Sequence, residues 1–423
     1  MTLYVGLDLG TSGARAVTID ATGAVVASAS RAMPPPLETE DGGRLQDPAV
    51  WREAAFGALA EVAGRAGSEI RALAVDGTSG TLLLCDEAGR PLGPARMYND
   101  ASAAPLASRI AALAPPESGA HGVTSPLARL LAMQDEHAAA RHALHQADWL
   151  AAQLTGRLAV SDDNNALKLG WDPVDRIWPD WLDHLGTRYE LLPEVVPPGT
   201  PLGPVLPEIA AQLGLATDCL VIAGTTDGCA SFLATGAAEH GEGVTALGST
   251  LTIKLLCVRP VFAPEYGVYS HRIGDQWLAG GAANTGGAAL LRFFTPERIS
   301  ELTPALRPEM PTGLEWHPLP GRGERFPIAD LELTFEPARP DDDATFLQGL
   351  LEGIAMIEAR AYALLAKLGG PPLRSVRTVG GGASNPAWRR IREGRLGVPL
   401  LEPTSLEAAY GSALLARRAV GHD

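Results

Sequence analysis

At 423 residues the chain is longer than one hydrophobic core usually supports, so two domains, or three, are expected. A net charge of −15 argues against nucleic acid as a partner. Hydrophobic residues at 46% and charged residues at 20% fit an ordinary globular protein, and no apolar run reaches the ~18–20 residues that span a bilayer, so no membrane partner is expected. The opening MTLYVGLDLG has no basic leader region and predicts no secretory signal. Cys85, Cys219, Cys229 and Cys257 are scattered without a CxxC pair, which fits reduced thiols and a cytoplasmic location.

In chain order, residues 3–9, 14–20 and 25–32 read as three short strands separated by glycine turns. Asp47 as N-cap and Pro48 at the first position open a helix whose apolar period runs through Trp51, Ala55, Leu59 and Val62. Strand patterns return at 70–75 and 81–85. This β-β-β-α-β order is that of an α/β layer domain with a mixed sheet. Residues 125–141 and 146–154 read as helices, which leaves His142 and His145 on a helical, solvated face with no third metal ligand nearby. The Trp171, Trp178 and Trp181 cluster reads as core. The proline-dense stretch 191–207 has no period and reads as a connecting segment. Strands are expected again at 220–224, 243–247, 250–257, 267–271 and 277–280. A long helix near 343–368, capped within Asp341–Asp343, precedes a strand at 376–379, a helix near 385–394 and a final helix from Ser405. VGLDLGTSGARAVTI in the first half and VTALGSTLTIKLL in the second are both strand, Gly-Thr or Gly-Ser turn, strand; two copies of one hairpin suggest a duplicated domain.

The polar turns carry the chemistry. In Asp8-Leu9-Gly10-Thr11-Ser12-Gly13, glycines admit close backbone approach, successive N–H groups suit phosphate oxygens, and Thr11 and Ser12 add hydroxyls. Asp8, at the strand end, could hold Mg²⁺ through water. An ordinary hairpin turn would use the same residues. No GK[ST] follows, so this is not a Walker A loop, and a strand rather than a helix follows the glycines, so it is not a Rossmann fingerprint. Gly248-Ser249-Thr250 can donate to phosphate but lacks the aspartate. Gly380-Gly381-Gly382-Ala383-Ser384-Asn385 lies between strand and helix, a context that suits a nucleotide, with Gly280, Gly281 and Asn284 as a further wall. Asp227 in Gly224-Thr225-Thr226-Asp227 is the candidate general base; a helix N-cap would place the same residue there. Asp76-Gly77-Thr78-Ser79-Gly80 is a third polar turn, suited to a polyhydroxylated substrate.

The ordered set DLGTSGAR, DGTSGT, SDDNNALKLG, AGTTD, ALGST, GGAAN, QGLLEGIA, GGGASN and EAAYGSALLA, running from Leu3 to about Ala419, resembles the FGGY carbohydrate kinases of the actin-like ATPase superfamily. Within them, DGTSGT, NNALKLG and GRGERFPI look most like the compact D-ribulose kinase (xylulose-kinase-like) branch. The resemblance implies two α/β domains of ribonuclease-H-like fold with the active site in a cleft between them. Residues 1–234 plus 405–423 would form the sugar and catalytic side, and 235–404 the nucleotide side. It implies ATP and Mg²⁺ as cofactors and direct in-line transfer to the terminal hydroxyl of a ketopentose. Asp227 would be the base and Asp8 would lie by the Mg²⁺, while Thr11, Ser12 and Gly13 would face the γ-phosphate. Asp8, Ser79 and Asp227 would contact the sugar, and Gly248, Ser249, Gly381, Gly382 and Asn385 the nucleotide. A monomer or homodimer is expected. Arg129 stands where many members carry lysine, and the middle region is shorter than in xylulose kinases. Kinases for D-xylulose, L-ribulose or glycerol are the alternatives within the family; an actin-like switch or chaperone ATPase is the alternative outside it.

Overall fold

The structure, a computed structural model, describes residues 1–421. The chain divides into two compact units. Unit 1 comprises residues 1–234, 271–274 and those from 405 onward; unit 2 comprises 235–270 and 275–404.

Unit 1 is built on β1 (Leu3–Leu9), β2 (Gly13–Asp20), β3 (Val25–Ala32), β4 (Ile70–Gly77), β5 (Pro201–Pro204) and β6 (Leu220–Thr226), in the sheet order β5-β6-β4-β1-β2-β3. β1 and β6 both run parallel to β4, while β2 and β3 return antiparallel. Every residue of β1 is buried, the signature of a strand covered on both faces. Leu3, Val5, Leu7 and Leu9 share one cluster with Trp51, Ala55 and Leu59 of the helix Pro48–Ala66. On the opposite face Tyr4 meets Ala409 and Ala413 of the C-terminal helix Ala408–Ala419. That helix lies so close that a Cβ on Gly6 would stand 1.8 Å from the Ala409 carbonyl oxygen. Side chains alternate along a strand, so Asp8 shares the face of Tyr4 and Gly6.

Two readings of the sequence are corrected in this unit. His142 and His145 belong to the strand His142–His145, not to a helix. The helix Pro126–Glu136 stops at His137, and the chain then pairs antiparallel with Leu82–Cys85, a tertiary pairing that overrides the local helical pattern. His145 is fully buried, with Nδ1 3.0 Å from Asp148 Oδ2, so it is no solvated face. The segment 191–207 holds two short strands, Glu194–Val196 and β5. The prolines of β5 are tolerated because it is an edge strand, where a missing N–H breaks no ladder.

Unit 2 is built on β7 (Glu242–Leu247), β8 (Leu251–Cys257), β9 (Tyr269–Ile273, whose last three residues count with unit 1), β10 (Gln276–Ala283), β11 (Ser375–Val379) and β12 (Leu400–Leu401), in the order β9-β10-β8-β7-β11-β12. β7 and β8 are antiparallel, β8 and β10 antiparallel, β7 and β11 parallel, and β11 and β12 parallel. The run β12-β11-β7-β8-β10 therefore repeats β6-β4-β1-β2-β3 of unit 1, the duplication that the paired hairpins suggested. Leu251, Ile253 and Leu255 face Phe346, Leu350 and Ile354 of the 25-residue helix Asp343–Lys367, which Asp342 caps. Glu358 of that helix is fully buried and grips Arg392 of the helix Pro386–Leu396 through Nε at 2.6 Å and Nη2 at 2.7 Å. Thr245 Oγ1 donates to the same carboxylate at 2.6 Å. Trp171 and Trp178, in unit 1, stack edge to face, as core residues do. The four cysteines are buried and free of disulfides, and among the described residues no helix is long and apolar enough to cross a membrane.

Candidate active site

Because β1, β4 and β6 run the same way, their carboxyl ends lie on one edge of the sheet of unit 1. The register pairs Asp8 with Asp76 on β4 and with Arg15 on β2, and pairs Asp76 with Thr225 on β6. One residue beyond β6, Asp227 opens the helix Asp227–Ala234. Three carboxylates thus share one strand-end edge, the usual ligand side of an open α/β sheet.

Their electrostatics differ. Asp8 is raised above the ordinary aspartate range, by burial first and then by the Asp227 charge, against the pull of neighbouring Asp76 and Arg15. Arg15 Nη1 stands 3.3 Å from Asp8 Oδ2, while its Nε reaches towards Glu407 at 3.8 Å. Asp76 is wholly buried, and burial together with the Asp8 charge pushes it far upward. Ser412 Oγ of the C-terminal helix donates to Asp76 Oδ2 at 2.6 Å. Burial and the adjacent Asp8 charge both disfavour the charged form of Asp76, as expected where two carboxylates share a site. The Asp76–Gly80 turn was expected to face substrate; its aspartate instead lies beneath the C-terminal helix. Asp227 is half-buried, and its Oδ1 accepts from Gly228 N at 2.6 Å.

The turn after β1 is closed by Gly10 N donating to Gly13 O at 3.0 Å, with Ser12 exposed and Thr11 and Gly13 half-buried. A Cβ on Gly13 would stand 2.6 Å from Arg31 O, so glycine lets β3 close on the turn. In the turn after β4, Thr78 donates from N and Oγ1 to Gln146 Oε1 at 3.0 and 2.8 Å. The Gly80 carbonyl accepts from Arg129 Nη2 at 2.8 Å, and the fully buried Arg129 also bonds the carbonyls of Met97 and Thr124. This loop holds Ser79 with its hydroxyl buried and unpaired by protein.

In unit 2, a cavity of about 650 Å³ is lined by Gly248, Ser249, Gly287, Gly381, Gly382 and Asn385 among others. A Cβ on Gly381 would meet no protein atom, whereas one on Gly382 would strike the Trp388 ring at 2.5 Å. Asn385 lines the cavity but its side chain is committed: Oδ1 caps the helix Pro386–Leu396 through Trp388 N at 3.0 Å, and Nδ2 donates to Thr303 Oγ1 at 3.1 Å. Gly281 and Asn284 do not line this cavity. A side chain at Gly281 would meet the Phe326 ring at 2.9 Å, and Asn284 binds Glu324 and Gly323. The GGAAN segment therefore supports the site from behind, because β10 buries its inward face against the 318–335 segment. Residues 317–324, which brace it, were missed in sequence; the GRGER stretch was a signal of resemblance only.

The FGGY family of carbohydrate kinases matches this chain with its N-terminal domain over residues 3–234 and its C-terminal domain over residues 263–420. The chain belongs to that family. It is an ATP-dependent carbohydrate kinase. It is 29% identical to the xylulose kinase of Streptomyces rubiginosus, covering 97% of this chain and 86% of that one. It is 26% identical to the xylulose kinase of Escherichia coli strain K12, covering 92% and 84%. The crystal structure of a xyloylose kinase from Brucella ovis superposes with a TM-score of 0.89 at 26% identity, over 100% of this kinase and 91% of that chain.

Proposed function

We propose that this kinase transfers the γ-phosphate of ATP to the terminal hydroxyl of D-ribulose, giving D-ribulose 5-phosphate. The observation that carries the phosphoryl-transfer reading is the strand-end set of Asp8, Asp76 and Asp227, three carboxyls gathered at the carboxyl edge of one sheet. Asp227 takes the proton of the sugar hydroxyl as its oxygen attacks the γ-phosphorus in line and the bond to the ADP oxygen breaks. The upward push on Asp76 favours its neutral form, which would lessen the negative charge facing the incoming triphosphate. Thr11, Ser12 and Gly13 face the γ-phosphate, and Gly248, Ser249, Gly381 and Gly382 line the nucleotide cavity, with Asn385 shaping its wall. Asp8 and Ser79 contact the sugar. A buried hydroxyl left unpaired costs ~1–3 kcal/mol, which a sugar hydroxyl at Ser79 would offset.

Among the described residues no group of three His, Cys, Asp or Glu side chains is arranged to hold a metal. Mg²⁺ commonly takes one or two carboxylates and completes its shell with phosphate oxygens and water, which the Asp8 and Asp227 pair suits. Asp8 would hold it, and when bound it would neutralise charge on the phosphates.

Support for D-ribulose comes from DGTSGT and NNALKLG, which resemble the compact ribulokinase branch. Relatives named xylulose kinases favour D-xylulose as the second reading. The two sugars keep the same number of hydroxyls and differ in the direction of one, so the site must read orientation. The deciding measurement is kcat/KM for D-ribulose, D-xylulose, L-ribulose and glycerol under one set of conditions. D-ribulose is expected to lead. A tenfold or greater advantage for D-xylulose or glycerol overturns the D-ribulose assignment.

A further inference from the structure

We propose that Glu324, with His317, is a positioning residue that sets the phosphate-facing turn Gly248-Ser249-Thr250. The inference rests on the nucleotide reading of the unit 2 cavity. Glu324 is fully buried. Its Oε1 accepts from Asn284 N at 2.5 Å and from Arg325 N at 3.0 Å, and its Oε2 from Thr285 N at 3.2 Å. His317 Nε2 stands 2.9 Å from Oε2, and beside a carboxylate that accepts from three backbone N–H groups the ring nitrogen is the donor. Two further bonds fasten the same loop: Asn284 Nδ2 to Gly323 O at 2.9 Å, and Thr285 Oγ1 to Pro318 O at 2.5 Å.

The loop so fixed continues into Gly286, Gly287 and Ala288. Gly287 N donates to Gly248 O at 2.8 Å, Ala288 N donates to Ser249 O at 3.0 Å, and Leu251 N donates to Thr285 O at 2.8 Å. In a planar trans peptide, the N–H of one residue points opposite to the carbonyl of the residue before it. Pulling the Gly248 carbonyl towards Gly287 therefore aims the Ser249 N–H away from the loop. Pulling the Ser249 carbonyl towards Ala288 does the same to the Thr250 N–H. Gly286 and Gly287 must be glycine for this contact, since a Cβ on either would lie 2.7 or 2.8 Å from the Ser249 or Gly248 carbonyl oxygen. Gly248, Ser249 and Gly287 all line the cavity. The buried carboxylate thus acts on the nucleotide through the backbone, two hydrogen-bonded layers away.

The test uses calorimetric ADP affinity and steady-state KM values on the full chain. Glu324→Gln replaces one accepting oxygen with an NH₂ that faces N–H donors. Losing a hydrogen bond to a charged group corresponds to roughly ten- to a hundredfold in affinity. ADP affinity is expected to fall by about tenfold or more, and KM for ATP to rise, with the sugar KM within twofold of wild type. His317→Leu should give a smaller loss, and His317→Gln, which keeps an N–H donor, should recover most of it. Should Glu324→Gln fail to fold, the His317 pair carries the test. Unchanged ADP affinity in a folded Glu324→Gln protein, or equal affinities for the two His317 variants, overturns the positioning role alone. Absence of ADP binding by the wild-type chain overturns the nucleotide reading and this role with it.

Discussion

Asp227 and the glycines of the unit 2 cavity give the sharpest tests at the level of single residues. Asp227→Ala should leave the fold intact and lower sugar-dependent turnover by ~10²–10⁴-fold, the usual contribution of a general base. Near-normal turnover in a folded variant would assign the proton to another group. Gly381→Val and Gly382→Val should part company. At Gly381 the added side chain enters open cavity, so ATP affinity should fall with little change in the melting temperature. At Gly382 it strikes Trp388 and Leu247, so stability should fall as well. Asp162 gives a pH test. Burial first, then the Asp148 charge, pushes its carboxyl up to about 8, against three N–H donors from Asn164 and Asn165. Its folded value is raised, so its contribution to stability is full below the unfolded value near 3.8 and is lost as pH rises towards 8. Urea unfolding of Asp162→Asn at pH 5.5 and 8.5 should show a smaller drop than wild type; an identical drop would contradict the raised carboxyl. The positions of Asp8, Asp227 and Gly381 at strand ends were legible because each sits where a strand pattern breaks into a polar or glycine turn. The state of Asp76 was not: its partner Ser412 lies 336 residues away. No local pattern distinguishes a carboxylate open to substrate from one buried beneath a distant helix.

Among the elements, the strand–turn–strand hairpins and the capped helices could be read closely, because apolar runs broken by glycine turns and cap chemistry are local. The strand His142–His145 could not, since it exists by pairing with Leu82–Cys85 rather than by its own preference. Nor could the support given by β10, whose glycines look like ligand-facing residues until Phe326 is seen against Gly281. The helices Asp343–Lys367 and Pro386–Leu396 are joined by the buried Glu358–Arg392 pair, whose side chains are 0% and 2% exposed. Glu358→Ala leaves Arg392 buried without its carboxylate, and breaking such a pair typically costs ~3–5 kcal/mol. The urea midpoint should fall accordingly. Replacing both residues with apolar side chains of similar volume should recover much of that loss. A Glu358→Ala midpoint within error of wild type would show that the pair does not hold the helices together.

On the scale of the molecule, one strand order occurs twice, once in each unit, yet the two copies differ in the residues at their turns. The copy in unit 1 carries Asp8 one residue before the end of its first strand; the copy in unit 2 has Ala246 at the matching position of β7, followed by the turn Gly248-Ser249. On the proposed assignment, duplication of the frame with divergence beside the turn would separate the acid–base chemistry from nucleotide binding. That division predicts an enzyme whose ATP turnover depends on an acceptor. A switch ATPase of similar frame would hydrolyse ATP without one. The most direct measurement is the rate of ADP release from ATP and Mg²⁺ with and without D-ribulose, D-xylulose, L-ribulose and glycerol. The proposed function predicts that at least one ketopentose raises the rate far above the sugar-free background and is itself phosphorylated in equal amount. ADP release that is indifferent to all four acceptors would contradict the kinase mechanism at its centre.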